Sequence, residues 1–126
     1  MPCPYGLILS KVPAKKWETR ADLLGRMEIT RQILESPLGL EMTVDELARL
    51  AMVSRSHFIR LFTRIYGATP MRHRSDWRLD QARLAILQGV SVSEAAIQVG
   101  YSSLPSFSRE FKVKFGVSPS QIRNRG

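Results

Sequence analysis

Two short stretches of the sequence carry side chains suited to bonding the edges of nucleic-acid bases. In the first, Arg55, Ser56, Ile59, Arg60, Thr63 and Arg64 come in neighbouring pairs four residues apart, a spacing that lines them along one side of a helix. In the second, Leu104, Pro105, Ser108, Arg109 and Lys112 follow the same spacing. Arginine can bond O6 and N7 of guanine together, serine and threonine can bond bases or phosphates, and isoleucine or leucine can touch a thymine methyl. A plain solvated face has the same look, because amphipathic helices are common. For either stretch alone the two readings weigh equally. Repetition tips the balance: both stretches put an arginine, Arg60 or Arg109, at the matching place.

The repetition extends to the elements that must hold these side chains. An offset of 48 superposes Val44, Glu46 and Ala48 on Val92, Glu94 and Ala96. An offset of 49 then superposes Ser54, Phe58, Arg60, Phe62, Gly67 and Pro70 on Ser103, Phe107, Arg109, Phe111, Gly116 and Pro119. The slip of one residue falls after Val53, where a turn lies, and turns accept an extra residue more readily than packed helices do. Each copy predicts a short helix (Val44–Ala51 and Ser93–Val99), a brief turn, and a longer helix (Arg55–Tyr66 and Leu104–Phe115). Phe58, Leu61, Phe62 and Ile65 in one copy, and Phe107, Phe111 and Phe115 in the other, form the inward face. Gly67 and Gly116 stop the longer helices. Helix, short turn, helix is the arrangement in which the second helix enters the major groove of DNA.

Start signals agree. Thr43-Val-Asp-Glu46 and Ser91-Val-Ser-Glu94 are capping boxes, and Thr69-Pro70 and Ser118-Pro119 set a cap residue before a proline at the first helical position. Ahead of the repeats, Leu23, Met27, Thr30 and Leu34 share one helical face, Thr19 with Asp22 caps its start, and Pro37 and Gly39 end it. Sustained period-2 alternation and hairpin turns are missing, so the expected fold is all-α. Between the copies, Pro70 to Gln88 reads as a connector helix of ~28 Å at ~1.5 Å per residue. Successive major-groove faces on one side of DNA lie roughly 34 Å apart. A connector of that length suits two reading heads one turn apart. The expected organisation is an N-terminal arm over 1–20, a first helix-turn-helix subdomain over 21–69, the connector over 70–88 and a second subdomain over 89–126.

Composition narrows the partner. Lys plus Arg number 19 against 11 Asp plus Glu, a net charge of +8, which favours an anionic partner, nucleic acid or an acidic membrane surface. A surface-lying membrane helix needs a basic face opposite bulky apolar residues, and the Pro70–Gln88 segment mixes in Asp76 and Asp80. No apolar run reaches the ~20 residues of a membrane span. Cys3 is the one cysteine, and with His57 and His73 as the two histidines there is no Cys/His set for a metal. A nucleophile elbow, paired carboxylates and a Gly-rich phosphate loop are all missing, which argues against an enzyme, and no cofactor is expected. Met27, Met42, Met52 and Met71 read as core filling. Trp17 and Trp77 read as packing against helices, Tyr66 and Tyr101 as rims of the two cores, His57 as a helix-surface residue and His73 as structural. A protein-interaction surface, such as one touching RNA polymerase, is compatible with DNA binding.

Taken together, Thr43-Val-Asp-Glu-Leu-Ala48, Ser54-Arg-Ser-His-Phe-Ile-Arg-Leu-Phe62, Arg78-Leu-Asp-Gln-Ala-Arg-Leu84, Gly100-Tyr-Ser-Ser-Leu-Pro-Ser-Phe-Ser-Arg-Glu-Phe-Lys112 and Gly116-Val-Ser-Pro-Ser-Gln-Ile-Arg123 resemble the AraC/XylS family of bacterial transcription regulators. The resemblance runs from about Arg20 to Arg125. It implies about seven helices, with two helix-turn-helix subdomains joined by one long helix. It implies sequence-specific double-stranded DNA binding in the cytoplasm, on the nucleoid. Ser56, Ile59 and Arg60, with Leu104, Pro105, Ser108 and Arg109, would then face bases. Arg55, Thr63, Arg64 and Lys112 would contact phosphates, which position a protein without reading sequence.

Two departures carry expectations of their own. His73 and Arg74 stand where the family usually has an aromatic and an apolar residue, so Arg74 is expected to be exposed or paired with Asp76 or Asp80. Pro105 offers no base hydrogen bond, so the second head is expected to specify sequence more weakly. Most members also carry a separate N-terminal sensing or dimerising domain. The proline-rich start (Pro2, Pro4 and Pro13) favours an excised DNA-binding half over a stand-alone regulator.

Overall fold

The computed structural model describes residues 19–36 and 41–125, with the backbone alone for 123–125. The expectations for the arm before Thr19, for Trp17 and for the stop at Pro37 and Gly39 lie outside the described residues. Among the described residues there are seven helices and no strand: α1 (Arg20–Leu34), α2 (Val44–Ala51), α3 (Arg55–Tyr66), α4 (Pro70–Leu87), α5 (Val92–Gln98), α6 (Leu104–Phe115) and α7 (Pro119–Arg125). The all-α expectation holds, and α2, α3 and α6 have the expected bounds. No described helix is long and apolar enough to cross a membrane.

Capping explains where the helices begin. Thr19 and Thr43 each accept from the backbone N–H three residues on, and Asp22 and Glu46 reach back to the cap backbone. Those reciprocal bonds favour ionised carboxylates and hold Asp22 and Glu46 below the usual carboxylate range. Ser54, Ser91 and Ser103 cap α3, α5 and α6 with their hydroxyls. At the other end, Gly67 (φ 82°) and Gly116 (φ 79°) take the left-handed conformation that closes α3 and α6.

The chain divides into two compact units, one up to Pro70 and one from Met71. In the first, Met27, Leu34, Leu47, Ala51, Phe58 and Phe62 are fully buried. Phe58, Phe62 and Tyr66 form a tilted aromatic ladder with centroids 5.8 and 4.6 Å apart. In the second, Leu79, Ala82 and Ile86 of α4 share one core with Ala95, Ala96, Val99, Phe107, Phe111 and Ile122. There the ladder runs Tyr101, Phe107, Phe111, Phe115 at 5.2, 5.6 and 4.5 Å. Each buried phenylalanine contributes about 1.5–3 kcal/mol by burial. A helix that reads as a connector in the sequence is thus also a wall of the second core.

Two expectations about packing change. Ile65, expected on the inward face of α3, is 37% exposed, and it is its neighbour Tyr66 that reaches α1. Met52, expected in the core, is 55% exposed and sits at φ 61°. It closes the turn after α2 in the left-handed conformation, which points its side chain away from the packed helices. Arg74 is half-buried, with Nη2 3.2 Å from Met71 Sδ, and burial pushes its pKa down. Asp76 pairs with Arg72 at 3.6 Å and with Lys114 at 3.5 Å, and Asp80 pairs with Lys114 at 3.6 Å.

Candidate nucleic-acid interface

Each unit presents one helix whose back is buried and whose front is open. On α3, Phe58 and Phe62 face inward, and Arg55, Ser56, Arg60, Thr63 and Arg64 are exposed, with Ile59 half-buried between them. On α6, Phe107 and Phe111 face inward, Leu104, Pro105, Arg109 and Lys112 are exposed, and Ser108 is half-buried. All eleven residues singled out in the sequence therefore lie on two helix faces that solvent reaches. His57 is exposed on α3, as expected of a helix-surface residue.

Local bonds set how available these side chains are. Arg55 Nη1 lies 3.4 Å from Asp45 Oδ1, an exposed pair worth about 0–1 kcal/mol. An arriving phosphate can displace so weak a partner. Thr63 donates its hydroxyl to the Ile59 carbonyl at 2.7 Å, so its one donor is already engaged. Arg109 Nη2 stands 3.5 Å from Ser106 Oγ, at the limit of a hydrogen bond. Both of these helices are basic. Arg55–Tyr66 holds three arginines and no acid, and Leu104–Phe115 holds Arg109, Lys112 and Lys114 against Glu110 alone.

The turn before each exposed helix is built alike. Val53 N–H donates to Ala48 O at 3.1 Å, and Tyr101 N–H donates to Ala96 O at 3.0 Å. Both are the six-residue closure that follows a left-handed residue, here Met52 in one unit and Gly100 (φ 95°) in the other.

The structure adds residues that the sequence reading passed over. Arg26 Nε donates to the Ala51 carbonyl at 2.8 Å, and Arg78 Nε donates to the Val99 carbonyl, also at 2.8 Å. Each guanidinium ties a supporting helix to the end of the short helix ahead of the turn. The buried residues beside them keep one spacing: Met27, Thr30 and Leu34 on α1, and Leu79, Ala82 and Ile86 on α4. The repeat is therefore three helices long in each unit, and α4 is the counterpart of α1. The signal was present as Arg26-Met27 against Arg78-Leu79, but the two helices differ in most exposed positions.

A tyrosine–glutamate bond braces each exposed helix, at its far end in the first unit and at its middle in the second. Tyr66 donates its hydroxyl to Glu28 Oε1 at 2.9 Å. Arg31 Nε bonds the same carboxylate at 2.9 and 3.0 Å, and Arg31 Nη1 reaches Glu35 at 2.8 Å. Arg31, with help from the Tyr66 hydroxyl, holds the Glu28 carboxyl down at about 2, and burial pushes the Tyr66 phenol up to about 12. In the second unit Tyr101 donates to Glu110 at 2.8 Å, and the Arg78 guanidinium lies 4.4 Å over the Tyr101 ring. Burial pushes the Tyr101 phenol well above its ordinary range. Among the described residues no cluster of His, Cys, Asp and Glu could hold a metal ion.

These helix faces are those of a known class of protein. A family model described as a helix-turn-helix domain matches residues 47–125. The C-terminal domain of AraT, a response regulator from Geobacillus stearothermophilus, superposes with a TM-score of 0.74 at 25% identity, over 86% of this chain and 89% of that one. A probable AraC family transcriptional regulator from Rhodopseudomonas palustris gives 0.67 at 25% identity, over 82% and 96%. In sequence, the chain is 36% identical over 98 residues to the RCS-specific HTH-type transcriptional activator RclR of Escherichia coli, covering 77% of this chain and 34% of that protein. The chain spans about a third of the length of the curated relatives it matches. The repeated helix-turn-helix, the family match and these likenesses agree: the chain belongs to the AraC-type helix-turn-helix family of DNA-binding transcription regulators.

Proposed function

We propose that α3 and α6 are both recognition helices, which enter successive major-groove segments of one double-stranded DNA site. The observation that carries this reading is the matched exposure of Arg60 and Arg109, each opposite a buried phenylalanine pair and each behind the same closed turn. In this reading Ser56, Ile59 and Arg60, with Leu104, Pro105, Ser108 and Arg109, meet base edges. Arg55, Arg64 and Lys112 meet phosphates, and Thr63 does so only by giving up its bond to Ile59. The family likeness to the DNA-binding domain of AdpA, solved with a target DNA, supports duplex DNA as the partner (TM-score 0.67, 26% identity). We propose as well that regulation takes place in the cytoplasm, on the nucleoid, and that the chain offers a surface to RNA polymerase, which crosslinking on a promoter duplex tests.

The test of the reading itself is selection of this protein's site from a pool of random duplexes, followed by titration of the winner against a scrambled duplex at fixed salt. Two short motifs about one turn (~34 Å) apart are expected. A single motif would leave one helix gripping phosphate only. Equal binding to every sequence would overturn base reading altogether.

A further inference from the structure

Glu28 and Asp80 occupy the same place in the two units, each two residues after the arginine that clamps a helix end and one after a buried Met or Leu. Each acid faces the far end of its unit's exposed helix. Glu28 accepts from Tyr66, the last residue of α3. Asp80 pairs with Lys114, one residue before the end of α6. The residue that matches Tyr66 in the second unit is Phe115, which has the ring and lacks the hydroxyl. Packing alone therefore does not require an oxygen at Tyr66. The ring already stacks on Phe62 at 4.6 Å. What the hydroxyl adds is a directional bond to α1, and Arg31 holds the acceptor in place from its other side.

We propose that Glu28 is a positioning residue for base reading: through Tyr66 it fixes α3 on α1, so that Arg60 meets one base pair and not its neighbour. The inference rests on α3 being a recognition helix. In this role Glu28 acts on α3 from α1, through the Tyr66 hydroxyl, and needs no contact with DNA of its own. As an acid beside an anionic partner, Glu28 weakens DNA binding by charge alone. Its removal by charge and its removal by position thus have opposite signs, which makes the two separable. At the matching place unit 2 has an ion pair, Asp80 with Lys114, in place of a hydrogen bond, and added salt screens an ion pair.

The experiment uses the full chain and the duplex that it selects from a random pool. Base discrimination is measured at each position of both motifs for Tyr66→Phe, Glu28→Gln, Asp80→Asn and Arg60→Ala, with urea unfolding alongside. Tyr66→Phe, which deletes the donor, is expected to lower discrimination in the α3 motif roughly 3- to 10-fold, a share of the effect of a bidentate base contact, and Glu28→Gln, which keeps a neutral acceptor but loses the ion pair that holds it, to lower it by less. Discrimination in the α6 motif stays unchanged, and Glu28→Gln binds scrambled duplex as well as or better than the parent. Asp80→Asn, which removes the same charge from the other unit, leaves the α3 motif alone. If Arg60→Ala relaxes the α3 motif while Tyr66→Phe and Glu28→Gln both keep it within twofold of the parent, Glu28 serves stability only and the proposal fails. If Arg60→Ala relaxes nothing, the recognition-helix reading fails and takes this one with it. Should Glu28→Gln not fold, Tyr66→Phe, which deletes one oxygen, decides.

Discussion

The two units solve one mechanical problem with different chemistry. Both put an arginine on the carbonyl that ends the short helix, an aromatic ladder behind the exposed helix and a glycine after it. They part at the turn and at the front. The first unit holds Met52 at φ 61°, where the second has Gly100 at φ 95°. The first presents Ser56, Ile59 and Arg60, where the second presents Pro105, Ser108 and Arg109. The shared parts lie where packing allows few answers, and the parts that differ lie where solvent or a partner sets the requirement. Comparison inside one chain thus sorts scaffold from reader without a second protein.

The largest effect should come from the readers. Arg60→Ala and Arg109→Ala are each expected to cost about 1–3 kcal/mol on the selected duplex and to relax base preference locally. Equal weakening on specific and random DNA would turn both into phosphate contacts. If the Pro105-bearing helix reads less, Arg109→Ala should cost less than Arg60→Ala, and equal costs would erase that asymmetry.

Next in size is the turn. A left-handed L-residue costs about 1–2 kcal/mol, so Gly100→Ala should lose about 1 kcal/mol in urea unfolding. Met52→Gly removes that strain and returns part of the gain through the freer unfolded chain, for a net stabilisation of about 0–1 kcal/mol. The same sign for both variants would mean that the two turns are not equivalent.

Smaller effects follow. Lys112→Ala should weaken all duplexes alike and reduce the slope of log affinity against log salt by about one. An unchanged slope removes Lys112 from the interface. Acid should act on the first unit through Glu28, whose carboxyl falls from 4.5 when unfolded to about 2 when folded. A depressed acid contributes stability that is complete above the unfolded value and lost as pH falls towards the folded one. Unfolding midpoints should therefore drop between pH 4.5 and 2, and Glu28→Gln should flatten that limb. A parallel limb in the variant would shift the cause to the capping carboxylates of Asp22 and Glu46.

Much of this architecture was readable from the residues. Gly67, Gly116 and the capping box at Thr43 are local signals whose meaning does not depend on distant partners, and the helices they bound came out with the expected ends. The aromatic faces were legible for the same reason, since the four-residue spacing of Phe58 and Phe62 has one geometric outcome. Met52 was misread because its hydrophobicity says core while its backbone position says turn, and the position decides. Ile65 was misread because the residue that reaches α1 is its neighbour Tyr66, which only the fold reveals. The Arg26 and Arg78 clamps stayed hidden for a third reason: their acceptors are backbone carbonyls, which no side-chain pattern announces.

Those clamps also bear on how such a chain can arise. Each one joins the supporting helix to the helix ahead of the turn within its own unit, and neither needs a residue from the other. A copying event that begins at a supporting helix and ends at the proline after a recognition helix would carry the clamp and the closed turn with it. The duplicate would start with the same frame, and its reading face could then diverge while that frame stayed fixed. Pro105 opposite Ser56, and Lys112 opposite Thr63, are differences such a history permits at little risk to the fold.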